Sequence, residues 1–262
     1  MKVLVIGGGG RCHAIVDALG RSPRVTKIWC APGNAGIARQ AECVPLRDTD
    51  VEGLLAFARR EGADLTVVGP ESALAAGIVD AFRAAGLRIF GPTQAAARIE
   101  TSKRFAKELM LRYAVPTAAY RVFSDYGEAA DYVRSQPLPA VLKYDGLAAG
   151  KGVVIARTPG EADAALRDML LDDRFGHGQV VVEEFMEGPE FSLMCFVAGR
   201  RVVPMALAQD HKRAYDGDRG PNTGGMGACS PLPFITPEEE RWAVEHVMQL
   251  SLIHISEPTR PY

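Results

Sequence analysis

The first hundred residues alternate short, uninterrupted apolar runs with helix-length segments. No other feature of the 262-residue chain constrains its fold as strongly. The runs are KVLVI at 2–6, KIWCA at 27–31, DLTVVG at 64–69 and LRIFG at 87–91. A strand with one wet face would alternate apolar and polar residues. These do not, so both faces are expected to be covered, as in parallel sheets that carry helices on each side. The intervening segments supply helices near 11–19, 51–61 and 72–85, and Pro32-Gly33-Asn34 reads as the turn closing the second strand.

Gly91-Pro92-Thr93 marks a boundary, after which the period changes. Two helices are expected near 93–99 and 102–112, the second with Phe105, Leu109 and Met110 on one face. Val115-Pro116-Thr117 ends them. Strand-like runs at 140–143, 152–156, 179–184, 190–198 and 201–208 then surround one helix near 160–171, the pattern of an α+β module with antiparallel pairing. Residues 209–227 read as a long polar loop dense in glycine, and long loops in compact domains tend to be functional. A last helix begins at Thr236 as N-cap, with Pro237 at its first position and acids in its first turn.

Composition excludes several classes. With 30 Lys+Arg against 32 Asp+Glu, there is no electrostatic case for nucleic acid as partner. No apolar run approaches the roughly 20 residues of a membrane span. MKVLVIGGGG is not a signal peptide, because its apolar run is short and ends in glycines. The five cysteines are scattered and form no CxxC, so neither a zinc ribbon nor a disulfide framework is expected, and the reducing cytoplasm is the expected compartment.

Four segments carry chemistry. Gly7-Gly8-Gly9-Gly10-Arg11-Cys12-His13 follows a strand directly, which suits either an anion at a helix N-terminus or a tight turn with no ligand. As a dinucleotide fingerprint it fails, because Cys12 stands at the third glycine and no acid closes the second strand. Lys143-Tyr144-Asp145-Gly146-Leu147-Ala148-Ala149-Gly150-Lys151-Gly152 places two lysines around three glycines, which suits a polyphosphate cover or a Gly-rich hairpin. It is not a P-loop, since neither Ser nor Thr follows Lys151. Glu183-Glu184-Phe185-Met186-Glu187-Gly188-Pro189-Glu190 can present carboxylates and amides to an adenine edge and a ribose, or can simply be a strand running into a solvated turn. Asp210-His211-Lys212-Arg213 and the run 216–227 interleave both charges with five glycines, more than a solvated loop requires.

These segments, with GPTQAAARIETSKRFAKELM, resemble the phosphoribosylamine–glycine ligase family of ATP-grasp enzymes over residues 1–249. The run from 208 to 233 is the most specific match. Cys12 departs from the family, which carries Glu after Gly-Gly-Arg. The resemblance implies an α/β chain: a Rossmann-like parallel-sheet domain over 1–100, then an incomplete ATP-grasp (α+β) domain over 101–249. It implies ATP as nucleotide, with Lys103 and Lys143 on its phosphates and the loop with Gly146, Gly150, Lys151 and Gly152 above them. Glu183 would accept from the adenine amino group, backbone groups of Glu184 and Met186 would complete that contact, and Glu190 would hold the ribose. Asp210, Lys212 and Arg213 would act at the acceptor side, while Gly9, Gly10, Asn222, Thr223, Gly224 and Gly225 would bind substrate.

The implied reaction joins glycine to phosphoribosylamine through a glycyl phosphate, in purine biosynthesis. The resemblance also implies Mg2+ or Mn2+ whose ligands lie beyond this chain, and a monomer for the full-length protein. Leu250 to Arg260 is similar to the in-frame translation of a transposon-end sequencing adapter, so 250–262 is expected to be non-native and the 262-residue chain inactive as a ligase. Two other readings compete. Other ATP-grasp ligases or carboxylases lack the DHKR…GPNTGGMG run, and a nicotinamide oxidoreductase is disfavoured by Cys12 and the missing acid.

Overall fold

A computed structural model describes residues 1–146, 152–172, 178–217 and 219–251, with the backbone alone at 221 and 222. Gly150, Lys151 and the proposed adapter-derived stretch from 252 onward lie outside the described residues. Backbone contacts divide the chain into two compact units, Met1–Thr101 and Ser102–Tyr262. Among the described residues, no helix is long and apolar enough to cross a membrane.

The first unit is a five-stranded parallel sheet of order β3-β2-β1-β4-β5. Its elements run β1 (Lys2–Gly7), α1 (Gly10–Gly20), β2 (Lys27–Pro32), β3 (Glu42–Cys43), α2 (Val51–Glu61), β4 (Leu65–Val68), α3 (Glu71–Ala75), α4 (Ile78–Ala84), β5 (Ile89–Phe90) and α5 (Gln94–Thr101). The uninterrupted apolar run of β1 has a direct cause. Val3 and Val5 face one core with Val16 and Ile28, while Leu4 and Ile6 face another with Leu54, Phe57, Ile78 and Phe82. Each such side chain, fully buried, contributes about 1.5–3 kcal/mol.

One expectation is corrected in this unit, and one strand was missed. The helix expected over 72–85 is split, because Gly77 takes φ +81° between α3 and α4. The two-residue β3 was not anticipated, being too short to show a period. The departure at Cys12 also finds a reason. A Cβ on Gly7 or on Gly69 would lie 2.4 Å from Cys12 Sγ, so this 3 % exposed thiol fills the space the two glycines leave. Burial pushes the Cys12 thiol above its ordinary pKa, and that of Cys30 up to about 12, so both act as small apolar groups.

The second unit begins with α6 (Lys103–Arg112), followed by β6 (Tyr120–Phe123), α7 (Tyr126–Ser135), β7 (Ala140–Tyr144), β8 (Val153–Ala156), α8 (Pro159–Leu170) and β9 (Val180–Glu184). These strands form an antiparallel sheet of order β6-β9-β7-β8. Helices α7 and α8 pack on one face of it around Leu142, Val180, Val182, Ala129, Val133, Leu166 and Met169. α8 starts with a capping box between Thr158 and Glu161. The sequence reading missed β6 and α7. β6 is four residues long with Arg121 inside it, and α7 buries Ala129, Ala130 and Val133, a weak apolar stripe.

The remainder comprises β10 (Cys195–Ala198), β11 (Arg201–Pro204), β12 (Gln209–Tyr215), β13 (Arg219–Cys229) and α9 (Pro237–Ala243), which runs on as a wider π-type turn over Val244–Gln249. The expected loop over 209–227 is instead an antiparallel hairpin, with register shifts on either side of Arg213. Backbone pairing needs no apolar side chains, and this hairpin has little buried face, so no period marks it in the sequence. The strands expected at 190–198 and 201–208 shrink to β10 and β11, with one further backbone pair between Ser192 and Ala208. Thr236, Pro237 and Glu239 form the anticipated helix start, including a capping box.

Candidate functional site

The face of the β6-β9-β7-β8 sheet opposite α7 and α8 carries the charged cluster. Strand alternation sends Ala140, Leu142 and Tyr144 into the helix-covered core and leaves Val141 and Lys143 on the other side. In β9 the same alternation puts Val182 in that core and Glu183 opposite it. Val141 pairs with Glu183 and Lys143 with Val181, so Lys143 and Glu183 are diagonal neighbours within reach of long side chains. Lys143 Nζ donates to Glu183 Oε2 at 2.9 Å. Lys107, from the second turn of α6, lies 3.1 Å from the same oxygen.

Glu183 and Lys107 are buried, at 6 % and 7 % exposure, and Lys143 is half-buried. A buried carboxylate is tolerated only when paired and hydrogen-bonded. Two ammonium groups meet that need here. Burial holds the Lys107 ammonium below its ordinary pKa, opposed by the attraction of Glu183. No buried side-chain nitrogen or oxygen lacks a hydrogen-bond partner among the described residues.

Lys103 approaches from the start of α6. Ser102 caps that helix by accepting from Phe105 N, and its hydroxyl donates to Asp145 at 3.2 Å. Asp145 also accepts from Arg104 N, so this carboxylate sits at the helix N-terminus. Lys103 Nζ donates to the carbonyl of Gly146 at 2.9 Å, where the glycine loop leaves β7. Tyr144 N donates to the carbonyl of Gly152 at the far side of that loop. Lys103, Lys143, Gly146, Gly152 and Glu183 thus gather around β7.

Other expected residues fall elsewhere. Glu184 N–H donates to Ala119 O, and its carboxylate accepts from Ala119 N at 2.8 Å, so its amide is already engaged. Met186 is exposed. Glu190 accepts from Lys212 Nζ at 2.7 Å, and Asp210 lies 3.7 Å from the same nitrogen. The Glu190 hydrogen bond raises the Lys212 pKa. Arg213 donates to Gly220 O, and Thr223 Oγ1 donates to Lys212 O while accepting from Gly225 N. Asp210, Lys212, Arg213, Thr223 and Gly225 therefore share the β12–β13 hairpin, where the Asn222 backbone pairs with Arg213 and Gly224 is exposed. Gly9 and Gly10 belong to the first unit, as N-cap and first residue of α1.

Lys107 was missed by sequence reasoning. The available signal was its position one turn after Lys103 on the same helix. Among the described residues, no group of three or more His, Cys, Asp or Glu side chains is placed to hold a metal ion.

Residues 1–100 match the N domain of phosphoribosylglycinamide synthetase, and residues 101–262 match its ATP-grasp (A) domain. The phosphoribosylamine–glycine ligase of Xylella fastidiosa (strain Temecula1) is 57 % identical over 242 residues, covering 91 % of this chain and 56 % of its own length. The chain thus spans little more than half the length of such relatives. The solved phosphoribosylamine–glycine ligase of Thermotoga maritima superposes with a TM-score of 0.81 at 31 % identity, covering 97 % of this chain and 61 % of that one. The biotin carboxylase domain of a Hydrogenobacter thermophilus 2-oxoglutarate carboxylase, a complex with MgADP, ADP and bicarbonate, has a TM-score of 0.75 at 16 % identity. It covers 97 % of this chain and 58 % of that one, a likeness of fold. By the match of both its domains, the chain belongs to the phosphoribosylglycinamide synthetase family.

Proposed function

We propose that the chain binds ATP on the face of the β6-β9-β7-β8 sheet opposite α7 and α8, and forms part of a ligase that joins glycine to phosphoribosylamine. The observation that carries this reading is Lys143. Its ammonium stands on that face, partly exposed, and meets one carboxylate that Lys107 also neutralises. Lys103 and Lys143 receive the phosphates, and Met186 with the carbonyl of Glu184 meets the adenine edge.

In the reaction a carboxylate oxygen of glycine attacks the γ-phosphorus, and ADP leaves with the electron pair of the broken P–O bond. The amine of phosphoribosylamine then attacks the acyl carbon, loses a proton and expels phosphate. This chemistry needs charge neutralisation and in-line positioning rather than a protein nucleophile, which suits lysines and backbone amides. Lys212, Arg213, Asp210, Thr223, Asn222, Gly224 and Gly225 of the hairpin serve the acceptor side, and Gly9 and Gly10 supply backbone amides to a substrate anion. Mg2+ or Mn2+ would screen the phosphates when bound, held by residues outside those described.

Calorimetric titration of the chain with ATP, ADP and NAD tests this reading. Saturable binding of ATP and ADP, without binding of NAD, is expected. Binding of NAD alone, or of no nucleotide, would contradict it.

A further inference from the structure

Lys107 and Lys143 share one carboxylate oxygen, yet their other donors differ. Two N–H groups of Lys107 go to Thr117 Oγ1 at 2.8 Å and the carbonyl of Ala118 at 3.1 Å, and its nitrogen lies 3.1 Å from Glu183 Oε2 as an ion pair. Its nitrogen also stands 5.5 Å from the centre of the Tyr120 ring. At 7 % exposure, Lys107 presents little of itself to a ligand on the face opposite α7 and α8. Lys143 is 29 % exposed and, among the described residues, donates to Glu183 alone, so two of its N–H groups remain for a ligand.

A buried carboxylate with two counterions can release one and stay neutralised. With a single counterion it cannot, because removing that partner leaves an unpaired charge in a low-dielectric place. Resting on the nucleotide reading above, we infer that Lys107 is a positioning residue for nucleotide binding. It is the standing counterion of Glu183 and thereby frees Lys143 to exchange that carboxylate for a polyphosphate. Lys107 itself touches no ligand. Without it, Lys143 becomes the sole partner of Glu183 and is held there against the pull of the phosphates.

A brace between α6 and the segment leading into β6 would use the same hydrogen bonds, so the test must separate charge from support. Four versions of the chain are compared: wild type, K107M, E183Q and K107M/E183Q. One readout is the rate at which N-hydroxysuccinimidyl acetate acetylates Lys143 relative to Lys2, followed by mass spectrometry of peptides. The other is the affinity for inorganic tripolyphosphate. K107M is expected to slow Lys143 acetylation and to weaken tripolyphosphate binding, each by roughly tenfold. In the Glu183→Gln background the same change is expected to alter neither, since the carboxylate that Lys107 balances is gone.

Equal Lys143 acetylation in wild type and K107M overturns the inference, as does an equal loss from K107M in both backgrounds. Where wild type fails to bind tripolyphosphate, the nucleotide reading fails, and the acetylation rates still decide the counterion role. Where K107M does not fold, E183Q against K107M/E183Q decides. Matching values support the inference, and a further loss in the double variant overturns it.

Discussion

Replacing Glu183 by alanine is expected to destabilise the second unit by about 3–5 kcal/mol, the cost of removing one partner from a buried ion pair. The loss falls on Lys107, whose side chain is 9 % exposed and which would keep only Thr117 and the Ala118 carbonyl as acceptors. Lys143, at 29 %, can turn toward water and contributes less to the penalty. Glu183→Gln retains the shape and an acceptor oxygen, so its cost is expected to be smaller, about 1–3 kcal/mol. Amide hydrogen exchange read residue by residue checks both values. Protection should fall in β7 and β9 and stay unchanged in β1 and β2, which belong to the other unit. Unchanged protection at Val181 and Val182 in the alanine variant would mean that the charge cluster does not hold this sheet face together.

Lys143→Ala is the second large effect, and it falls on binding rather than folding. The variant is expected to bind ATP about 10- to 100-fold more weakly, the range for losing a charge-assisted contact to phosphate in a partly desolvated site. Glu183 keeps Lys107 as counterion, so the thermal transition of the second unit should move little. Lys143→Arg should recover part of the affinity, because the charge remains while the reach and geometry differ. Equilibrium titration of the three proteins with ATP measures the effect. Equal affinities would remove Lys143 from the site.

Much of the fold is legible in the sequence, and the reasons are local. Val3, Leu4, Val5 and Ile6 are apolar without a break because helices cover both faces of β1, and that pattern alone separates a parallel sheet from a hairpin. Thr236-Pro237 with Glu239 announces α9 because capping is written in contiguous residues. The hairpin β12–β13 is illegible for the opposite reason. Its strands are held by backbone pairing, its glycines read as loop, and Arg213 closes onto Gly220 with a contact no period encodes.

In the site, Lys143 could be read from its place between an apolar strand and a glycine loop. Glu183 could be read as an acid ending a strand, though not as a buried one shared by two lysines. Lys107 was missed, its one signal being a place one turn after Lys103 on the same helix. Lysine is rarely buried, and the partner that makes burial tolerable lies on a strand far along the chain. The thiol of Cys12 shows the same limit. Its fit beneath Gly7 and Gly69 depends on two turns that meet only in three dimensions.

On the proposed reading, adenine nucleotide sits on the face of the β6-β9-β7-β8 sheet opposite α7 and α8. Photolabelling with 8-azido-ATP, followed by mapping of the modified peptide, tests it most directly. The label is expected between residues 180 and 190, around Glu184 and Met186, and to be displaced by excess ADP. A label in the first twenty residues, around Gly7–Gly10, would contradict the claim and place the nucleotide at the glycine turn of the first unit instead.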